Sequence, residues 1–249
     1  EILYIGTTDR MEKDLIPSMG YRYEGIEVTG FTRKLTLDNF KTITNFINAI
    51  KRCKIIIKDF DPDIVIGCGG YVTAPVIYAA KKLGKKTFIH EQNSVVGLAN
   101  KFLARYTDKI GVSFESTIKD FPKGKAILTG NPCSEKALNI KKTTKEKLDI
   151  AKDKKLVLIV MGSLGSRTIN DKIFSFIDKF RSKNYSVIIV TGNSYYERVK
   201  DKRVPSNVKV LPFIYEMPSV MKITDLMVTR AGASTMSEIT ALEVPSIFI

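Results

Sequence analysis

The chain has 249 residues, 44% of them hydrophobic and 27% charged, a length that buries a core large enough for one large or two ordinary domains and a composition that excludes disordered and fibrous classes. Forty Lys plus Arg against 26 Asp plus Glu give a net charge of +14. Such an excess draws a chain toward nucleic acid, an anionic membrane face or a phosphorylated small molecule, unless it is only a lysine-rich solvated surface. Nucleic acid is disfavoured, because the lysines sit singly or in pairs and neither zinc-ligand spacing nor an aromatic-basic sheet motif is found. No apolar run reaches membrane-spanning length, and the start does not read as a signal peptide. Cys53, Cys68 and Cys133 are odd in number and scattered, which predicts free thiols in a reducing compartment, the cytoplasm.

In chain order, short apolar runs predict strands at ILYIG from Ile2, DIVIG from Asp63, KTFIH from Lys86, KIGVS from Lys109 and AILTG from Ala126. Five more follow: KLVLIVMG from Lys155, SVIIVTG from Ser186, VKVLPF from Val208, DLMVT from Asp225 and SIFI at the end. Helix-like segments separate them, an α/β order that predicts parallel sheets with helices on both faces. Ten strands are too many for one nucleotide-binding sheet and suit two in tandem. The lysine-rich SEKALNIKKTTKEKLDIAKDKK carries no strand and reads as a charged helical connector, dividing the chain into residues 1–132 and 133–249. Ligands of doubly wound sheets lie at the carboxyl ends of strands, here expected in a cleft between the two domains.

The turns that leave these strands carry the chemistry. VMGSLGSRTIN places Gly162, Ser163, Gly165 and Ser166 ahead of a helix near Arg167. Small residues there let backbone amides approach a phosphate at a helix N-terminus, although such a turn serves equally as a tight connection. With no GK[ST] it is not a Walker loop. In VTRAGASTMSE, Gly232 supplies the flexible position, Ser234 and Thr235 offer amides and hydroxyls to a diphosphate, and Glu238 lies one turn further on, suited to the hydroxyls of a ribose. The same residues also read as a capping box, Ser234 or Thr235 with Glu238. In the first half, GCGGYVTAP gives Gly69 and Gly70 room for a ligand, and Tyr71 a ring to stack or hydrogen-bond. His90, the only histidine, stands with Glu91, Gln92 and Asn93 where a strand runs out. Four polar groups in a row there bind sugar hydroxyls or position a proton acceptor, whereas a lone histidine is more often structural.

YIGTTDRMEKDLIP, GCGGYVTAPVIYAAKKLGKKTFIHEQNSVVGLANKFLA, LTGNP, MGSLGSRTIN and RAGASTMSEITALEVPSIFI resemble, in order and spacing, the motifs of the MurG family of GT-B glycosyltransferases over essentially the whole chain. The resemblance implies an α/β GT-B fold, two Rossmann-like doubly wound domains facing a cleft, an N-terminal acceptor domain and a C-terminal donor domain. It implies inverting transfer of N-acetylglucosamine from UDP-N-acetylglucosamine to the 4-hydroxyl of lipid-linked muramoyl-pentapeptide, a step of peptidoglycan synthesis that serves cell shape and division. Carried over residue by residue, the donor would be held by Asn93, Ser163, Ile214 through its backbone, Ala233, Ser234, Thr235, Met236, Ser237 and Glu238. Gly69, Gly70, Tyr71, His90 and Glu91 would line the acceptor side, with His90 the candidate base. Neither metal nor cofactor is implied.

The family's first strand and Gly-rich loop, and its Gln-rich donor-sugar loop, have no counterpart between Glu1 and Ile249, so two active-site walls are expected to be absent. Leu164 stands where the family usually has glutamine, and Ser134 where many members have arginine. A lipid-linked acceptor implies peripheral attachment to the anionic inner face of the cell membrane. Phe40, Ile43, Phe46, Ile47 and Ile50, with Lys41, Lys51, Arg52 and Lys54 around them, and Leu98, Phe102 and Leu103 in the segment from Val95 to Tyr106, are the candidate patch, although that spacing equally marks core packing. Two other readings stand beside this one: a glycolipid synthase of the same fold, and a non-catalytic module binding a nucleotide sugar or an anionic surface.

Overall fold

A computed structural model describes residues 1–28, 38–162 and 165–249, the side chains of residues 38–41 apart. The chain divides into two compact units, Glu1–Gly130 and Asn131–Ile249.

The first unit runs β1 (Leu3–Thr7), α1 (Glu12–Ser18), β2 (Arg22–Ile26), α2 (Asp38–Phe60), β3 (Ile64–Gly67), α3 (Gly70–Lys82), β4 (Lys86–Glu91), α4 (Leu98–Leu103), β5 (Lys109–Val112) and β6 (Ala126–Leu128). All pairings are parallel: β1 pairs with β2, and β3-β4-β5-β6 form a second sheet in chain order. Its core joins Ala49, Cys53, Ile56 and Ile57 of α2 to Val76, Ile77, Ala79 and Ala80 of α3, and both to Ile89 and Ile110 of the sheet. Alanines on α3 let the two helices approach closely, while Ile89 and Ile110 are fully enclosed. The passage from β3 to α3 turns on Gly69 and Gly70, with φ of +91° and +80°, a left-handed pair that side chains resist.

The second unit runs α5 (Pro132–Asn139), β7 (Lys155–Val160), α6 (Arg167–Ser175), β8 (Tyr185–Val190), α7 (Asn193–Val199), β9 (Val208–Leu211), α8 (Met217–Met221), β10 (Leu226–Thr229), α9 (Ala233–Leu242) and β11 (Ser246–Phe248). Its sheet is parallel throughout, in the order β11-β10-β7-β8-β9. Alternation along the strands supplies two cores, as the period of two in a strand requires. Leu156, Leu158, Ile188 and Val190 face Val220, Met221 and Ile239 of α8 and α9, whereas Ile159, Val187 and Ile189 face Ile173 of α6. The second face also carries an apolar groove of about 550 Å³ lined by Val157, Val228, Phe176 and Phe180.

Two expectations change. A strand not predicted, β2, pairs along its length with β1; its sequence RYEGI holds no apolar run, and only the pairing makes it a strand. The connector is not a continuous helix: α5 stops at Asn139, Ile140 is extended, and only Glu146–Leu148 forms a 3₁₀ turn. Contacts distant in sequence hold it instead, with Lys222 Nζ donating to the Leu138 carbonyl at 2.8 Å and Ser219 Oγ to the Lys141 carbonyl at 2.7 Å.

Candidate functional site

In the second unit the strand order reverses beside β7, which pairs with β8 on one side and β10 on the other. Val160 lies opposite Thr229, so the turns that follow β7 and β10 leave the sheet side by side, at the kind of switch point where ligands of such sheets bind. Each turn opens into a helix of nine or more residues, α6 and α9.

The turn after β7 is pressed onto the end of β8. Gly165 has φ of +71°, and a Cβ built on it would stand 2.0 Å from the Thr191 carbonyl oxygen. That oxygen accepts the side-chain amide of Asn170, a buried residue of α6, at 3.0 Å. Ser163 and Leu164 lie outside the described residues.

The turn after β10 ends in Gly232, which caps α9 in extended conformation with no side-chain hydrogen bond. The capping box is therefore not formed: Ser234 and Thr235 are already inside the helix, and Glu238 is its sixth residue. The amides of Ala233, Ser234 and Thr235 are orphan donors of the first turn, pointing where the helix dipole favours an anion. Ser234 Oγ receives a long hydrogen bond from the Asn131 side chain at 3.5 Å, and Ser237 Oγ donates back to the Ala233 carbonyl at 2.9 Å. Ser134 donates to the Ser237 carbonyl at 3.1 Å, so α5 is tied to α9 along this edge. Met236 is half-buried. Glu238 is half-buried too, and its carboxylate has no hydrogen-bond partner among the described residues. Burial raises its pKa above the ordinary carboxylate value, and Lys136 of α5 opposes that more weakly. The side chain of Ile214, after β9, packs against the core, between Phe213 and the 90% exposed Tyr215.

In the first unit the candidate residues gather at the ends of β3 and β4. Tyr71 is exposed, with the Arg10 guanidinium 5.8 Å from its ring centroid, a cation-π neighbour not anticipated from the sequence. Gln92 Nε2 donates to the Cys68 carbonyl at 2.6 Å, tying the end of β4 to that of β3 and to the Gly69-Gly70 turn. His90 is only 6% exposed, and its Nε2 lies 2.9 Å from the Gly130 carbonyl, engaged with the last residue of the unit. Glu91, 1% exposed, accepts from the Asn93 and Gly97 amides and from the Asn93 and Asn100 side chains. Burial alone would raise its pKa, but those donors outweigh it and hold the carboxyl below its ordinary value. Asn93 itself is exposed.

Among the described residues no three His, Cys, Asp or Glu are gathered to hold a metal ion. The run Asp59-Phe60-Asp61-Pro62-Asp63 does have Asp-x-Asp spacing, but it precedes β3, at the opposite end of the strand from Gly69, and Asp61 pairs with Lys85 at 2.5 Å. No helix among the described residues is long and apolar enough to cross a membrane.

Two Rossmann-like α/β units, each of parallel strands alternating with helices, define a glycosyltransferase of the GT-B fold. The model of the glycosyltransferase family 28 N-terminal domain matches residues 1–112, and that of the family 28 C-terminal domain matches residues 156–249. The chain is 47% identical over 254 residues to the UDP-N-acetylglucosamine--N-acetylmuramyl-(pentapeptide) pyrophosphoryl-undecaprenol N-acetylglucosamine transferase of Halalkalibacterium halodurans, a match spanning all of this chain and 70% of that enzyme. It is 45% identical over 252 residues to the enzyme of the same name from Bacillus cytotoxicus, spanning 99% of this chain and 69% of that one. The crystal structure of Acinetobacter baumannii MurG superposes with a TM-score of 0.71 at 27% identity, over all of this chain and 70% of the other. The chain belongs to glycosyltransferase family 28.

Proposed function

We propose that the chain transfers N-acetylglucosamine from UDP-N-acetylglucosamine to the 4-hydroxyl of a lipid-linked muramoyl-pentapeptide, a step of peptidoglycan synthesis; its relatives are named as N-acetylglucosamine transferases acting on N-acetylmuramyl-(pentapeptide) pyrophosphoryl-undecaprenol. The observation that carries the reading is the unpartnered, half-buried Glu238 on α9, one turn beyond three free amides. The amides of Ala233, Ser234 and Thr235 receive the diphosphate, and Glu238, once ionised, accepts from the ribose hydroxyls and replaces its lost hydration. The backbone of Ile214 is assigned to the uracil, and Ser163, Met236 and Ser237 to the same donor. Asn93 is assigned to the transferred sugar, and Gly69, Gly70 and Tyr71 to the acceptor.

In the reaction the acceptor oxygen bonds to the anomeric carbon as the bond from that carbon to the diphosphate oxygen breaks, with inversion. The hydroxyl proton passes to a base, and the electron pair leaves on UDP, where helix amides stabilise the charge that builds up. His90 remains a candidate base through its Nδ1, since Nε2 is taken up by Gly130.

The acceptor's lipid calls for attachment to the anionic inner face of the membrane. Val95 and Leu98, 76% and 73% exposed, and Phe102 present an apolar edge beside Lys101 and Arg105, with Phe102 packed on Tyr78 and Tyr106. Leu103 is fully buried and does not belong to that edge. On α2, Ile43 and Ile47 are exposed, while Phe46 and Ile50 are half-buried; Phe40 and Lys41 lie outside the described side chains.

Calorimetric titration with UDP and UDP-N-acetylglucosamine, on the chain and on Glu238→Ala, tests the donor assignment. Saturable binding lost in the variant supports it, and equal affinity in both removes Glu238 from the site. Transfer of labelled sugar to a lipid-linked acceptor then separates an enzyme from a binding module, which would hold UDP without turnover, and an acylglycerol acceptor separates the glycolipid synthase.

A further inference from the structure

Glu91 ends β4 as a carboxylate whose oxygens are both fully spent inside the protein. Oε1 accepts from the Asn93 amide and from Asn93 Nδ2, each at 3.0 Å. Oε2 accepts from the Gly97 amide and from Asn100 Nδ2, each at 2.9 Å. At 1% exposure the carboxylate offers nothing to a substrate, yet its charge is retained at a cost that only these donors offset. What they hold is the segment that leaves β4 and returns as α4, a stretch with no regular structure of its own between residues 92 and 97.

The chemistry of the clamp has a direction. An ionised carboxylate accepts and never donates, so the Asn93 side chain must turn its NH₂ toward Glu91 and its carbonyl oxygen away. Asn93 is exposed, and its Oδ1 has no partner among the described residues. A hydrogen-bond acceptor is thereby displayed in one fixed orientation at the end of the strand.

We infer that Glu91 is a positioning residue for the transferase: its carboxylate fixes residues 92–97 and orients Asn93 so that Oδ1 is presented to a hydroxyl of the transferred sugar. The role of Asn93 rests on the functional reading above; the clamp itself does not. Glu91 acts through Asn93 and leaves direct contact with the acceptor to its neighbours.

The isosteric change Glu91→Gln puts an NH₂ group against two of the four donors. Amide hydrogen exchange on the whole chain reads the clamp without any substrate. The Asn93 and Gly97 amides should exchange at least about tenfold faster in Glu91→Gln, while those of Ile89 and Val112 keep their rates. Unchanged exchange at Asn93 and Gly97, or acceleration throughout the unit, would overturn the inference. If Glu91→Gln does not fold, Glu91→Asp, which keeps the charge but is one methylene too short to reach both pairs of donors, is measured with the same outcomes.

Transfer kinetics then test the path through Asn93. Glu91→Gln alone should lower kcat/KM on the order of 100-fold, the scale of a misplaced contact, but by less than about threefold when added to Asn93→Ala. Full multiplication of the two effects would mean that Glu91 acts independently of Asn93, and would refute the assignment. If the unmodified chain transfers no sugar at all, the exchange experiment decides the clamp alone, and the functional reading falls with it only if the chain also fails to bind UDP-N-acetylglucosamine.

Discussion

Replacing Gly165 by alanine probes how tightly the turn after β7 is built. The added Cβ would lie 2.0 Å from the Thr191 carbonyl oxygen and 2.9 Å from its carbon, at a φ of +71°. The left-handed backbone alone costs an alanine roughly 1–2 kcal/mol. Relieving the collision requires the turn and the end of β8 to part by about 1 Å, an overpacking strain of roughly 1–3 kcal/mol. Thr191 cannot yield freely, because its amide donates to the Leu211 carbonyl at 3.0 Å and its oxygen accepts from Asn170 at 3.0 Å. Stretching that last bond, in a residue already enclosed, adds roughly 1–3 kcal/mol. Together these come to roughly 3–8 kcal/mol. Gly84, at φ +74° with nothing within 4 Å of its Cβ site, is the control, and Gly84→Ala should cost only the backbone share, about 1–2 kcal/mol. Hydrogen exchange at the Ile188 and Ile189 amides reports the stability of the second unit, and exchange at Ile89 and Ile110 that of the first. A loss in Gly165→Ala no larger than in Gly84→Ala would refute the reasoning.

Three further outcomes are expected. Glu238→Gln should make the second unit more stable at pH 7: burial raises the pKa of Glu238, so the native chain loses stability as pH climbs above the ordinary carboxylate value, and the variant escapes that loss. Denaturation between pH 4 and 7 checks this, and a stability difference that does not grow with pH would count against it. Asp225 behaves oppositely. Burial would raise its pKa, but Lys155, the Leu156 amide and Lys145 together lower it, so its contribution is present above the ordinary carboxylate value and fades as pH falls. Asp225→Asn should cost about 1–2 kcal/mol at pH 7 and progressively less in acid, as denaturant titration at both ends will show. Val95→Ser together with Leu98→Ser should weaken sedimentation with anionic vesicles while leaving thermal unfolding unchanged, and added salt should weaken the parent's binding; vesicle binding unaffected by both would remove this edge from the membrane.

The strands with continuous apolar runs, such as KLVLIV and SVIIV, were legible because burial on both faces leaves a run with no gaps. RYEGI was not, because only its pairing with β1 marks it as a strand. The lysine-rich connector misled for a related reason: its composition favours a helix, but the groups that shape it, Ser219 of α8 and Lys222 just after it, come from 78 and 84 residues on. The helix after β7 starts where the turn placed it, at Arg167, while α9 starts at Ala233, ahead of the Ser234 or Thr235 cap that the sequence also allowed. The sequence could place Glu91 beside His90 and Asn93, but not reveal that its oxygens turn inward to Asn93, Gly97 and Asn100, because that is a matter of side-chain direction. Arg10, whose partner Tyr71 is sixty-one positions away, carried no local signal at all.

The order of strands has a consequence for how each unit is made. In the first, β3, β4, β5 and β6 lie side by side in the order in which they are synthesised, so each new strand finds its partner waiting and the sheet can grow as the chain emerges. In the second, β7 receives β8 soon after it is made, but its other edge stays open until β10 arrives, with Leu226 pairing to Val157 across 69 residues of sequence. Until then Leu158 and Ile159, destined for opposite cores, flank an unpaired strand edge in a nascent chain. During that interval the nascent second unit presents an unpaired strand edge, the kind of surface that invites premature association.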